Sequence, residues 1–334
     1  MEESAPGPRI VVIGGGTGIH RLLVGLKRLT PHITAVVTMA DSGGSSGRLR
    51  DEFGHLPPGD VRQCLVALCP DDHQSAMLRH LFNYRFQRGR GLSGHTFGNL
   101  FLTALTEITG ATDLAIAEAA RILGIRGQVL PVTLTKTELC ARLVDGREIR
   151  GEANVDQRRD GPPFVPIDYV YLDPNAYAYP RVLRAIAEAH AVVLGPGDLY
   201  TSLLPNLLVE GMVDALQHTR ARRIYVANLM TKQGESDSFR ASEFVRVVRE
   251  QVGEALDVAV VNVGALPERV VRRYAALGAA PVEPDLETCR ALVPRVVAAD
   301  LASVGTLVRH DARRLAQIVL ELAVQPSPAV GALD

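Results

Sequence analysis

The sequence predicts an α/β fold: a Rossmann-like, doubly wound, mostly parallel sheet with a helical insertion and a small β-hairpin. Three observations lead there. Short β-branched runs alternate with helical periodicities along most of the 334 residues. Two of the runs end in glycine-rich loops that open helices: Ile10-Val11-Val12-Ile13 enters Gly14-Gly15-Gly16-Thr17-Gly18, and Ile33 to Met39 enters Asp41-Ser42-Gly43-Gly44-Ser45-Ser46. Residues 60–124 then carry helical spacing without a convincing strand.

In chain order, strand-like runs occupy 10–13, 33–39, 129–134, 191–194, 222–228, 257–263 and 294–298. After the first loop, Leu22, Leu23, Leu26 and Leu29 recur at helical spacing. Within the insertion, Phe97, Leu100, Phe101, Ala104, Leu105 and Ile108 predict one apolar stripe, and Leu114, Ala115, Ala119 and Ile122 predict another. Leu139, Ala141 and Leu143 alternate with polar residues before the two-residue turn Asp145-Gly146, and Ile149 lies on the return. That is a β-hairpin over 138–150. The Pro/Gly/Arg-rich stretch 156–166 reads as a loop. We expect one domain over 9–323, with 60–124 as helical insertion and 129–170 containing the hairpin. Residues 1–8 and 324–334 are expected to be flexible tails.

Composition narrows the function classes. The net charge of −1 gives no electrostatic footprint for nucleic acid. There is no run of eighteen apolar residues and no charged-then-apolar leader, so a cytoplasmic protein without a membrane span is expected. The four cysteines, Cys64, Cys69, Cys140 and Cys289, form no Cys-x-x-Cys pair and read as reduced core residues. Nine histidines include no His-Glu-x-x-His pattern.

A strand that ends in glycines and opens a helix leaves backbone N–H groups at the positive end of the helix dipole, an anion site usually filled by phosphate. A tight βα turn explains one such loop alone. Two on neighbouring strands point to a nucleotide or diphosphate ligand held by Gly14 to Gly18 and Gly43 to Ser46. The dinucleotide fingerprint is matched in part: Gly14 and Gly16 fit, the third position is Ile19, and Asp41 lies 23 residues after Gly18. Asp41 and Asp60 are the candidate carboxylates, for catalysis or for Mg²⁺ shared with ligand phosphate. Asp60 in Pro58-Gly59-Asp60 also suits an N-cap. Arg48 and Arg62 are placed to neutralise a diphosphate or to face water. His95 is a catalytic candidate or a helix-opening residue, with Asn99 one turn on along the same face. Three further loops follow later strands, at Gly195-Pro196-Gly197-Asp198, Asn228 to Glu235 and Gly264 to Pro267. In open α/β sheets such loops converge at the carboxyl edge of the strands.

Taken together, Gly14 to Gly18, Ala40 to Arg50, Pro58-Gly59-Asp60-x-Arg62, Gly94-His95-x-x-Gly98-Asn99 and Gly195-Pro196-Gly197-x-x-Tyr200-Thr201-Ser202 resemble the 2-phospho-L-lactate transferase (CofD)-like superfamily, within it the YvcK-type gluconeogenesis factors. Asn228-x-Met230-Thr231, Arg273-Tyr274 and Arg309-His310-Asp311 extend the match. The resemblance implies a cytoplasmic protein that binds a UDP-sugar such as UDP-N-acetylglucosamine and acts on carbon metabolism, cell-wall synthesis and cell shape. It carries over ligand contacts to Ser42, Gly195, Gly197, Tyr200, Thr201, Ser202, Asn228 and Thr231, and places Tyr274 and Arg309 at the uridine or sugar. The transferase branch instead uses Mg²⁺ and a guanosine diphosphate-linked donor. Ser42 stands where many relatives carry Asp or Asn, which removes a metal ligand and weakens that reading. An NAD(P) oxidoreductase is the third reading, opposed by Ile19 and by the lack of a clear Tyr-x-x-x-Lys pair. A homo-oligomer is compatible with the sequence, and no protein partner is identified by it.

Overall fold

A computed structural model describes residues 7–325 apart from 159, 160 and 162. The tails expected at 1–6 and 326–334 lie outside the described residues. All seven runs expected as strands form one parallel sheet. They are β1 (Ile10–Gly14), β2 (Ile33–Val37), β3 (Gln128–Pro131), β7 (Ala191–Leu194), β8 (Arg222–Val226), β9 (Val258–Asn262) and β10 (Arg295–Ala299). Their spatial order is β10-β9-β8-β7-β1-β2-β3. Every residue of β1, β2 and β7 is buried, as expected for strands covered on both faces. Alternate residues feed different layers. Val11, Ile13 and Val36 belong to one core cluster, and Ile10, Val12, Ala35 and Val37 belong to the other.

The second cluster is closed by α1 (Gly16–Leu26), which buries Ile19, Leu22, Leu23 and Leu26, and by the C-terminal helix Ala312–Val324. Val324 is therefore helical, one residue beyond the expected start of a tail. Between β2 and β3 lie α2 (Gly44–Phe53), opened by the second glycine loop, and then α3 (Gly59–Leu68), α4 (His73–Asn83), α5 (Phe97–Thr109) and α6 (Thr112–Leu123), which form the expected insertion. Its faces differ from the expectation. α5 buries Asn99, Leu102, Thr103 and Thr106 and leaves Ile108 79% exposed. Polar groups take the inner face because Asn99 has buried hydrogen-bond partners across it, at Ser45 and Arg62. In α6, Ala115 and Ala119 are buried while Leu114 and Ile122 are exposed.

The hairpin is present as β4 (Glu138–Leu143) and β5 (Glu148–Arg150), and β6 (Ile167–Asp173) adds a third antiparallel strand in the order β5-β4-β6. One short helix, α7 (Glu152–Asp156), follows β5 and is absent from the sequence reading, as is the ribbon of β11 (Ala302–Val304) and β12 (Val308–His310). All four cysteines are free and buried. Among the described residues no helix is long and apolar enough to cross a membrane.

Candidate functional site

From β1 the chain builds outward through β2 to β3, then returns to lay β7 on the other side of β1. That is a topological switch point, where loops diverge and leave a crevice at the carboxyl ends of the strands. The loop after β1 and the loop after β7 meet there. A Cβ at Gly18 would lie 2.4 Å from the Pro196 carbonyl oxygen and 2.5 Å from the Gly197 Cα, so two backbones touch where glycine alone fits. Leu199–Leu203 is a single π-helical turn, a feature frequent at functional sites.

On one side of the junction is a cavity of about 350 Å³ lined by Asp41, Asp60, Glu152, Asp156 and Asp198, with Arg62 and Arg85 as its guanidinium groups. Thr38, Gln63, Gly43 to Ser46, Thr201 and Ser202 complete the wall. The Gly16 N–H of the first glycine loop faces the Asp60 carboxyl and favours its charged form, against the effect of burial. A Cβ on Gly16 would lie 2.3 Å from the Asp60 carbonyl oxygen, so this glycine permits α1 to approach α3. Asp60 is not the N-cap of α3; that position is Pro58. Burial, then the neighbouring Asp41 charge, pushes the Asp60 carboxyl up to about 7. Glu152 is pushed up to about 8 by burial and by Asp41 and Asp156. Asp41 is raised by burial, although Gly43 N–H donates to its Oδ1 at 2.9 Å. Three carboxyls that resist ionisation in one cavity are short of positive charge.

Behind this wall runs a chain of buried hydrogen bonds. Arg62 Nε donates to Asn99 Oδ1 at 3.0 Å, Asn99 Nδ2 to Ser45 Oγ at 3.1 Å, and His95 Nδ1 lies 3.1 Å from Ser45 Oγ. The α5 N-cap is Thr96, which accepts from Asn99 N, so His95 is free of that task.

On the other side is a cavity of about 450 Å³ with an apolar wall of Leu229, Met230, Leu277 and Leu307. Asn228, Thr231, Tyr274, Arg309 and His310 also line it. Tyr274 is oriented by the Val308 N–H, which donates to its hydroxyl at 2.9 Å, and Arg273 sits over its ring. The Asn228 Oδ1 is buried and has no hydrogen-bond partner among the described residues. Thr17 and Asp198 line both cavities, so the two form one continuous cleft.

Lys232 stands at the junction. Its ammonium contacts Asp156, Asp198 at 2.7 Å and Glu235 at 2.6 Å. Burial works against that charge, but Glu235, Asp198 and Asp156 outweigh it and raise the Lys232 pKa. These three carboxylates have the spacing of a metal site, and the ammonium occupies it. Glu152 also accepts from Ser42 N, and Ser42 Oγ accepts from Ala153 N, so α7 closes over the second glycine loop.

Of the expected contacts, most converge on this cleft. Tyr200 does not line it; it is 6% exposed in the core, its hydroxyl pushed up to about 12 by burial and Glu235. Arg48 is exposed and donates to the Ser93 carbonyl at 3.3 Å. Gly14 is packed on Ile19. Glu152 and Asp156 were not expected, and Asp198, Lys232 and Glu235 were expected only as parts of loops after strands, with no role of their own. Asp198, Lys232 and Glu235 follow strand ends, a placement that marks them; Glu152 and Asp156 reach the site only through the fold of the antiparallel sheet.

Comparison with known proteins matches residues 10–302 to the family described as 2-phospho-L-lactate transferase CofD. The gluconeogenesis factor of Bacillus subtilis is 37% identical over 318 residues, 94% of this chain and 98% of that protein. A Nostoc sp. protein, given the same name provisionally, is 45% identical over 94% of this chain and 68% of its own length. The crystal structure of protein BH3568 from Bacillus halodurans superposes with a TM-score of 0.89 at 38% identity, covering 94% of this chain and all of that one.

Proposed function

This chain belongs to the CofD family, alongside the gluconeogenesis factors, and from that premise we propose that it is a cytoplasmic regulatory protein binding a nucleoside diphosphate sugar, UDP-N-acetylglucosamine or a related UDP-sugar. The observation that carries this reading is the pairing of two unlike cavities at the switch point. The apolar cavity suits a nucleoside: Tyr274 offers a ring, and the unpartnered Asn228 Oδ1 accepts from an imide N–H. The acidic cavity suits the sugar hydroxyls and the far phosphate. The diphosphate then crosses at Thr17, beside Lys232. Its role is to report nucleotide-sugar supply to carbon and cell-wall metabolism, in keeping with the name its relatives carry.

A phosphate beside Asp41, Asp60 and Glu152 calls for more positive charge than Arg62 and Arg85 bring to the cavity. The donor set is all oxygen and includes buried carboxyls with raised proton affinity, which fits Mg²⁺ held by Asp41 and Asp60, with Glu152 adjacent. Such an ion, held by Asp41 and Asp60, would supply the positive charge that offsets a phosphate there. The same donors favour the second reading, a Mg²⁺-dependent transferase acting on a nucleoside diphosphate-linked donor. Calorimetry with UDP-N-acetylglucosamine, GDP and NAD, each with Mg²⁺ and with chelator, tests the assignment. Tightest binding of the UDP-sugar, weakened at least about tenfold by chelator, is the expected result. Preference for NAD would replace the reading with a dehydrogenase.

A further inference from the structure

We propose that Ser45 is a nucleophile activated by His95, able to take a sugar-phosphate group covalently from a nucleoside diphosphate sugar bound across the cleft. The proposal rests on the nucleotide-sugar reading above and adds an activity to it.

Hydrogen-bond direction links Arg62, Asn99, Ser45 and His95. A guanidinium nitrogen only donates. Arg62 Nε bonds to Asn99 Oδ1, which fixes the amide so that its nitrogen faces the serines. Asn99 Nδ2 therefore donates to Ser45 Oγ at 3.1 Å. Ser45 Oγ keeps its own hydrogen to give, and His95 Nδ1 lies 3.1 Å away. A neutral His95 ring with its hydrogen on Nε2 accepts that hydrogen at Nδ1. Burial, followed by the Arg48 charge, lowers the His95 pKa and keeps it neutral at physiological pH.

A purely structural role explains less. Ser45 does not cap α2, whose N-cap is Gly43 with no side-chain bond, and α5 is capped by Thr96. Neither helix end needs the pair. Ser45 also lines the acidic cavity, and its second lone pair is unclaimed by any hydrogen bond found among the described residues. A hydroxyl with its proton on a neutral imidazole and a free lone pair beside the expected diphosphate is the starting geometry of base-assisted attack.

The step balances as follows. Ser45 Oγ attacks the sugar-side phosphorus and forms the Oγ–P bond while its proton moves to His95 Nδ1. The bond from that phosphorus to the bridging oxygen breaks, and its electron pair leaves with the nucleoside monophosphate. The apolar cavity then holds the leaving nucleotide, and Ser45 carries the sugar phosphate as a diester.

The test uses the full chain with UDP-N-acetylglucosamine and Mg²⁺, quenched in acid. Intact mass and mapping of the peptide spanning residues 44–48 look for a sugar-phosphate adduct, and uridine monophosphate is quantified in the same samples. We expect an adduct on Ser45, or, where turnover is fast, a burst of uridine monophosphate approaching one per chain. Ser45→Ala should abolish both, and His95→Ala should slow them about 100-fold. Mapping the wild-type adduct needs no variant, so poor folding of Ser45→Ala leaves the test standing. Binding by calorimetry without adduct or burst, or release unchanged in folded Ser45→Ala, overturns the proposal and leaves the nucleotide-sugar reading intact. Absence of binding with and without Mg²⁺ overturns that reading, and this proposal with it.

Discussion

Asp60 carries two assignments at once: it accepts the Gly16 N–H of the first glycine loop, and it faces a cavity with Asp41. Its folded pKa of about 7 exceeds the ordinary 3.8, so the fold favours the protonated form. Between these values the folded state binds more protons than the unfolded chain, and stability falls as pH rises from about 4 to about 7. Glu152, raised from 4.5 to about 8, extends that fall to about pH 8. The metal-free protein should therefore melt lower at pH 8 than at pH 6, with Asp60→Asn and Glu152→Gln each flattening the slope. Mg²⁺ should restore the melting temperature at pH 8 and have little effect at pH 5, where protons compete. A profile that rises from pH 5 to 8 in chelator and stays unchanged in Asp60→Asn would show these carboxyls to be ordinary. Gly16 offers a sharper residue-level contrast. Gly16→Ala drives a Cβ into backbone atoms of Asp60 and should cost about 3 kcal/mol or more, read by chemical denaturation. Gly44→Ala meets no atom within 4 Å but must adopt φ +46°, which costs roughly 1–2 kcal/mol.

At the scale of elements, α7 is the piece that completes the acidic cavity, and its attachments are few. Ser42 bonds to Glu152 and Ala153, and Lys232 bonds to Asp156 from the loop after β8. Lys232→Met removes the ammonium that contacts Asp156, Asp198 and Glu235. Leaving three carboxylates unpaired should destabilise the protein by about 2 kcal/mol, the low side of a broken buried pair because Lys232 keeps 26% exposure. The loss should be larger at pH 8 than at pH 6, since Glu235, pushed up to about 7, is more fully charged there. Hydrogen exchange should quicken first in residues 152–156. Equal loss at both pH values would mean that Lys232 acts through packing of its stem alone.

At the scale of the whole molecule, the proposed ligand at the switch point would tie β1, β7 and β8 to the insertion and to α7. A UDP-sugar at 100 times its Kd should add about 2.7 kcal/mol, roughly a 4 °C rise for a chain of 334 residues. A calorimetric scan with no rise at that excess would rule out selective binding to the folded state. The seven strands, the insertion and the hairpin were legible in the sequence because each rests on local patterning. β-branched runs bounded by glycine specify buried strands, and Asp145-Gly146 specifies its turn, whatever lies elsewhere in the chain. The glycine loops were legible as places of close approach, though not as to what approaches: Asp60 for Gly16 and Pro196 for Gly18. Which helix faces are buried also escaped local reading, since α5 turns Asn99 and Thr103 inward and Ile108 outward. The sequence by itself determined the sheet, its order of loops and the family-bearing motifs. Only the tertiary structure decided that carboxylates from the loop after β2, from α3, from α7 and from the loop after β7 share one cavity. The physical reason is that cavity charge and proton affinity are properties of convergence, arising from desolvation and mutual repulsion between groups up to 157 positions apart, Asp41 and Asp198.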